Sequence, residues 1–351
     1  PTFGQTFTPL FPANIGGLLG SVVTAGAGNP NIEPERAGEL EFGVDLGMFK
    51  NRLNFEVTYY DKQTRNNIQN LSLSPATGYS SIPTNLAQLQ NRGWELSLSG
   101  TVVQKENLRW TSRVLWWKND LLLTQLGIPA YNSGGFGATL GTFLYQEGFA
   151  PTTIVGTRPR RLLADGTPDP NDTPANEGVK TGAYILGNGQ PDFQMSWFNE
   201  VNFFKNFDFS MLWHWKKGGD NINLSQFLTD SGGTSPNWFG DDDGDGKPNG
   251  RDRGIAPNNG ADRWVQDASY IRLREAALYY TVPQAKVGDW FDNKVSRIKI
   301  GFSAQNPLTF TKYVGYDPET STFGIQAVQS GVDIAPYPTQ RRFFGHLVFE
   351  F

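Results

Sequence analysis

Residues 241–252 read Asp-Asp-Asp-Gly-Asp-Gly-Lys-Pro-Asn-Gly-Arg-Asp. This is D-x-D-x-D-G with a carboxylate at the twelfth position, a spacing that converges hard oxygens on one divalent cation. Calcium takes roughly six to eight such oxygens, and glycine permits the tight turn that gathers them. The expected side-chain ligands are Asp241, Asp243 and Asp245. The Lys247 carbonyl supplies a backbone oxygen and Asp252 closes the shell. Five aspartates within twelve residues repel one another unless a cation is present. The common template ends on Glu, so the shorter Asp252 predicts weaker binding. No helical periodicity flanks the loop. A calcium ion here is structural, stiffening a connection; the plain alternative is a solvated acidic turn.

Other residues offer binding rather than bond-making. Tyr131, Phe136, Phe143, Tyr145, Trp238, Phe239, Tyr313 and Tyr316 lie in segments without strand periodicity. Of these, Tyr131, Tyr145, Trp238, Phe239 and Tyr313 are the expected substrate contacts, since aromatic faces stack on sugar rings or hold peptide side chains. The competing role is to anchor a loop. Arg158, Arg160 and Arg161 cluster and read as a solvated charge run. His214 and His346 fall on polar strand faces without ligand spacing, as plain hydrogen-bonding residues do. Catalytic patterns are missing. There is no cysteine, and no nucleophile elbow, P-loop or H-E-x-x-H occurs. Paired carboxylates for glycoside hydrolysis are a spatial feature, and nothing in the sequence singles out a pair. The expectation is a protein that is not an enzyme.

The elements that carry these residues are strands. Alternation of period two runs through nine segments, starting near Glu39, Leu53, Gly93, Leu108, Phe193, Phe207, Tyr270, Val295 and Phe343. Phe55, Val57 and Tyr59 oppose Asn54, Glu56 and Thr58; Phe209, Met211, Trp213 and Trp215 oppose Ser210, His214 and Lys216. The 270–282 run is mixed, with Glu275 between Leu273 and Ala277, which predicts a bulge. The segments run to about 10–13 residues. Globular strands peak near 5–6 residues, whereas tilted membrane strands need ~9–11. Apart from 270–282, no charged residue falls on an apolar face. Trp94, Trp110, Trp116, Trp197, Trp213 and Trp215 do, several near strand ends, where interfacial aromatics belong.

Composition agrees. The 351 residues carry 18% charged and 13% aromatic side chains, 40 glycines and a net charge of −4. There is no basic surplus to hold nucleic acid, and no apolar run long enough for a membrane helix. The connections alternate short and long. Short ones fall at Lys50-Asn51, 105–107 and Lys205-Asn206, with a modest one at 283–294. Long ones fall at 64–91, 118–191, 218–267 and 307–340. Outer-membrane barrels have that asymmetry, with short periplasmic turns and long extracellular loops. Counting strands back from a periplasmic C-terminus makes residues 1–37 an extracellular loop and 38–351 strands with long outer loops. Nine strands that start outside make the C-terminal part of a larger barrel.

Several segments carry a resemblance. Asn29-Pro30-Asn31-Ile32-Glu33-Pro34-Glu35-Arg36 precedes a strand, followed by Asn51-Arg52-Leu53-Asn54-Phe55 and later by Asn91-Arg92-Gly93-Trp94-Glu95. Tyr270-Ile271-Arg272-Leu273-Arg274-Glu275 and Tyr337-Pro338-Thr339-Gln340-Arg341-Arg342 come next, and the chain closes on Phe351. Each is weak alone; their order and spacing over 29–351 resemble the C-terminal barrel of SusC-like TonB-dependent outer-membrane transporters of Bacteroidota-type bacteria. The resemblance implies an all-β, transmembrane antiparallel β-barrel of 22 strands with a plug, of which this chain supplies about nine strands. It implies import of an oligosaccharide or oligopeptide, with a SusD-like surface lipoprotein as partner. Energy would come from TonB-ExbB-ExbD through an N-terminal part, and neither that part nor the plug is in this sequence. The rival expectations are a passive barrel segment and a soluble secreted glycan-binding β protein.

Overall fold

The computed structural model describes residues 2–235, 237–242, 244–255, 260–291, 294–322 and 331–351. Nine strands form one antiparallel sheet: β1 (Arg36–Met48), β2 (Leu53–Ser72), β3 (Ser81–Lys105), β4 (Leu108–Leu126), β5 (Pro191–Phe203), β6 (Phe207–Gly218), β7 (Tyr270–Thr281), β8 (Arg297–Thr311) and β9 (Arg342–Glu350). Each pairs with its neighbours in sequence, so the order in space is the order along the chain. All nine expected ribbons are present.

Register aligns the apolar residues into rows. Val44 lies opposite Val57, then come Leu96, Trp116, Met195, Trp215, Ile271 and Phe310, one residue per strand from β1 to β8. A slip of one residue would turn a strand's whole set to the other face, so the row itself specifies the pairing. Among the described residues nothing covers the middle of this face: Leu40, Phe42, Phe302, Phe310 and Leu347 are each more than half exposed. The sheet is a single layer. Its buried clusters lie at its two ends, around Phe143 and Leu144 at one and Val287 at the other. A two-layer sandwich with a dry centre is therefore ruled out for the described residues.

Aromatic rows border the apolar face above and below. At the long-loop end Tyr59 packs on Trp94 with ring centroids 4.9 Å apart, and Phe193 on Trp215 at 4.9 Å. At the short-turn end Phe203 meets Phe207 at 5.3 Å, and Phe207 meets Tyr280 at 4.8 Å. Phe193 and Phe203 lie on the same face of β5, ten residue steps apart. At ~3.3 Å per residue and ~40° of tilt that is ~25 Å, the height of a lipid-facing band. Beyond the upper row the same face turns charged: Arg92 bonds Asp61 at 2.9 Å, and Lys118 lies 3.4 Å from Asp120.

The expected bulge is in β7. Pairing with β6 shifts between Leu212/Glu275 and Trp213/Leu273, and pairing with β8 shifts at the same place. Arg274 is the extra residue. It lets Leu273 and Ile271 face outward although Leu278 and Ala276 have the opposite numbering parity. On the inner face, Tyr60 lies flat over Gly93, where an added Cβ would fall 2.3 Å from the ring, and its hydroxyl donates to Asn119 at 2.7 Å.

Four expectations about the connections are corrected or refined. The 64–91 loop is mostly strand: β2 runs out to Ser72 and β3 begins at Ser81, leaving 73–80 with a single 3-10 turn, Pro75–Thr77. There the ribbon stands above the apolar band and both faces are polar, so the ladder continues without alternation. β4 likewise runs to Leu126, so the next connection spans 127–190. Residues 1–37 are not all loop: a hairpin, Leu10–Ile15 with Leu18–Val23, precedes β1, which itself starts at Arg36. Segment 283–294 contains a helix, Gln284–Phe291.

Candidate functional site at the mouth of the sheet

The long connections fold together. Residues 131–133, 142–145, 153–156 and 184–188 make a four-stranded sheet. Residues 220–223 pair with 265–267 and, in parallel, with 332–333. Phe143, Ile154, Ile222, Leu224 and Val332 come from three different connections and form one buried cluster. These connections therefore have a hydrophobic core of their own.

Buried polar groups pin this layer. The Tyr313 hydroxyl donates to Asp333 at 2.7 Å, and Ser225 donates to the other oxygen of Asp333, itself fully buried. Burial raises the Tyr313 hydroxyl well above its ordinary range. Asn221 donates to the Pro318 carbonyl at 3.2 Å. Arg272, 2% exposed on β7, reaches up to Asp317 at 2.6 Å and Glu319 at 2.7 Å. Burial by itself would raise the Asp317 carboxyl; the bond from Arg272 overturns that and holds it below the usual carboxylate range. Arg158 donates to Asp172 at 2.6 Å and to Glu177 at 2.8 Å, and lies 4.1 Å from the Tyr184 ring centre. The bond from Arg158 holds Asp172 far below the carboxylate range.

The expected aromatic contacts divide. Tyr131 and Tyr145 are brought together, stacked at 5.0 Å and 12°; burial pushes the Tyr145 hydroxyl up to about 12. Trp238 is half-buried and packs on Gly250, while Phe239 is 84% exposed. Tyr313 is a correction: its ring is buried rather than presented, because the hydroxyl is needed by Asp333. Phe143 is wholly inside. Arg158 is a correction too, an interior ion pair rather than a solvated charge, whereas Arg160 and Arg161 are exposed.

In the acidic loop Asp241 accepts from the Gly244 and Gly246 amides at 2.7 and 3.0 Å. Both glycines have positive φ, 75° and 81°, which winds the backbone around the Asp241 carboxylate. Asp245 accepts from the Lys247 amide at 2.8 Å and is paired with its ammonium. Asp243 lies outside the described residues. Asp252 rides on a short helix, Asn249–Ile255, that sequence periodicity did not reveal. Among the described residues no three potential ligand side chains yet converge.

Sequence reasoning missed a cluster on the inner face directly below this layer. Trp117 of β4 stacks on His214 of β6 at 5.8 Å and 16°, passing over the small Ser196 between them. His214 meets Tyr270 edge-on at 5.5 Å, and its Nδ1 is 2.9 Å from the Arg274 guanidinium. Arg274 in turn is paired with Glu319. His214 is thus a networked residue, whereas His346 has the plain role expected, 2.7 Å from the Ser303 hydroxyl. The alternation showed that His214 faces inward; only register shows what surrounds it.

The family described as TonB dependent receptor-like, beta-barrel, matches residues 1–306. The chain belongs to this family. It is 25% identical to TonB-dependent receptor P3 of Formosa agariphila over 93% of its own length and 35% of that protein. It is 21% identical to TonB-dependent receptor SusC of Bacteroides thetaiotaomicron, over 92% and 32% respectively. In fold it is similar to a chain of the RagAB peptide transporter, with a TM-score of 0.76 at 20% identity, covering 98% of this chain and 38% of that one. The chain spans about a third of the length of the curated relatives it matches. The nine-stranded meander is therefore a portion of a TonB-dependent receptor barrel wall.

Proposed function

We propose that the chain forms part of the wall of an outer-membrane importer that carries a nutrient oligomer inward. In this reading a SusD-like lipoprotein closes the outer mouth and TonB-ExbB-ExbD supplies energy through other parts of the same transporter. The observation that carries it is the single-layer sheet whose outward face exposes Leu, Phe and Val between two aromatic rows ~25 Å apart. Family membership and the SusC and RagAB relatives support the rest. The folded outer layer suits docking better than loose loops would, because little entropy is lost when a rigid surface meets a partner. Residues 241–252 bind calcium in this account, with the Lys247 ammonium displaced from Asp245 as the ion enters.

Uptake by cells with and without the gene tests the reading. Accumulation of labelled oligosaccharides or oligopeptides should depend on the gene and stop when a protonophore is added. Accumulation indifferent to both, or release of the chain by a salt wash without detergent, overturns it.

A further inference from the structure

Trp117, Gln194, Lys216 and Tyr270 lie at one height on the inner face, directly opposite one another across β4, β5, β6 and β7. That height is where the outward face changes from aromatic to charged, so the row sits at the mouth of the lumen. Tyr270 is buried and serves as a backing. Trp117 is held from behind by His214. It is half-buried and lines a hollow of about 550 Å3 shared with Thr58, Glu95, Ser97 and Arg113. Neither the Gln194 amide nor the Lys216 ammonium makes a side-chain hydrogen bond or ion pair with any described residue, although both are half-buried. Half-buried donors beside a flat apolar ring are what a ligand with many hydroxyls needs.

Charge narrows the ligand class. Arg272 and Arg274 are already neutralised by Asp317 and Glu319. Lys216 is within electrostatic reach of Asp220 and Asp267 as well as Glu319. Glu56, Glu95 and Arg113 line the hollow itself, so the carboxylates around the row at least match its cations and no net positive charge selects an anionic oligomer, while the unpaired Lys216 ammonium disfavours a cationic one. Resting on the import reading above, we propose that Trp117, Gln194 and Lys216 form a subsite for a neutral oligosaccharide. The indole covers one face of a pyranose ring, and the amide and ammonium donate to its hydroxyls.

The test uses the intact transporter with its lipoprotein, titrated with neutral gluco-, manno-, xylo- and galacto-hexaoses and, separately, with a mixed hexapeptide pool. At least one hexaose should bind. Trp117→Ala should weaken it about tenfold or more, Trp117→Phe much less, and Gln194→Ala and Lys216→Met each several-fold. The conservative Phe variant separates lost stacking from misfolding. Hexaose binding unchanged in Trp117→Ala overturns the subsite, and binding of peptides alone overturns the ligand class. The import reading fails separately, through protonophore-indifferent accumulation in wild-type cells, whatever the hexaose titration gives.

Discussion

Asn199 of β5 is a polar side chain near mid-height on the outward face, and it is fully enclosed. Trp110 of β4 closes over it and donates from Nε1 to its Oδ1 at 3.0 Å, while Nδ2 has no partner among the described residues. Directly opposite, Ser112 accepts from the Trp197 indole at 3.0 Å. With lipid outside, no water can replace either bond. Trp110→Phe keeps an aromatic side chain, though a smaller one, and removes the donor, leaving Oδ1 as bare as Nδ2. A buried acceptor that loses its partner costs about 1–3 kcal/mol, roughly 5- to 150-fold in the ratio of folded to unfolded protein. In an Asn199→Leu background the same ring change has no acceptor to orphan and should cost under about 1 kcal/mol. The assay is denaturant unfolding of the four proteins of this cycle in vesicles, with the midpoint read from the gel mobility of the folded barrel. Equal cost of Trp110→Phe in both backgrounds would refute the reasoning, since the coupling between the two residues would then be zero.

Neighbouring residues of β4 should answer oppositely to charge: Val114→Arg, on the outward face, should cost about 2–4 kcal/mol in vesicles, and Leu115→Arg, one residue on and facing inward, far less. Arg272→Ala strands a buried carboxylate and should cost about 3–5 kcal/mol, seen as at least a hundredfold faster amide exchange over 312–322; adding Asp317→Ala should recover part of it. Asp172 has its folded pKa depressed by Arg158, so its contribution is complete above the ordinary carboxylate range and disappears as pH falls through the lower folded value. Proteolysis of 157–182 should accordingly stay flat from neutral pH down to about 4 and rise only in stronger acid, and Arg158→Gln should abolish that acid step. Calcium at a hundred times its Kd should stabilise the outer layer by about 2.7 kcal/mol, a rise in Tm that Asp241→Asn and Asp245→Asn remove; no shift at millimolar calcium removes the site.

The strands were legible where lipid enforces contrast. Between Leu53 and Tyr59 every second residue is apolar because one side meets acyl chains and the other water. Past Tyr59 the contrast vanishes: Gln63, Asn67, Gln69, Asn85 and Gln88 belong to the same ribbon yet read as loop, since water wets both sides. The core of the outer layer was invisible for another reason. Phe143, Ile154, Ile222 and Val332 each look like a stray apolar residue in a long connection, and only their meeting makes a core. Tyr313 was misjudged because its partner Asp333 lies twenty residues away. The bulge at Arg274 was readable because all its residues are contiguous.

The ribbon of β2 and β3 above Tyr59 climbs another thirteen residues before it turns at Pro75–Thr77. At ~3.3 Å each that is ~43 Å of path, a stiff mast rather than a tether, tied near its top to residues 25–27 by backbone bonds to Ser80 and Ser81. In the orientation the proposed function requires, an antibody, a phage fibre or a protease arriving from outside would meet that tip before it reached the rim. A peptide tag spliced in at Gly78 would be displayed there without disturbing a residue of the wall.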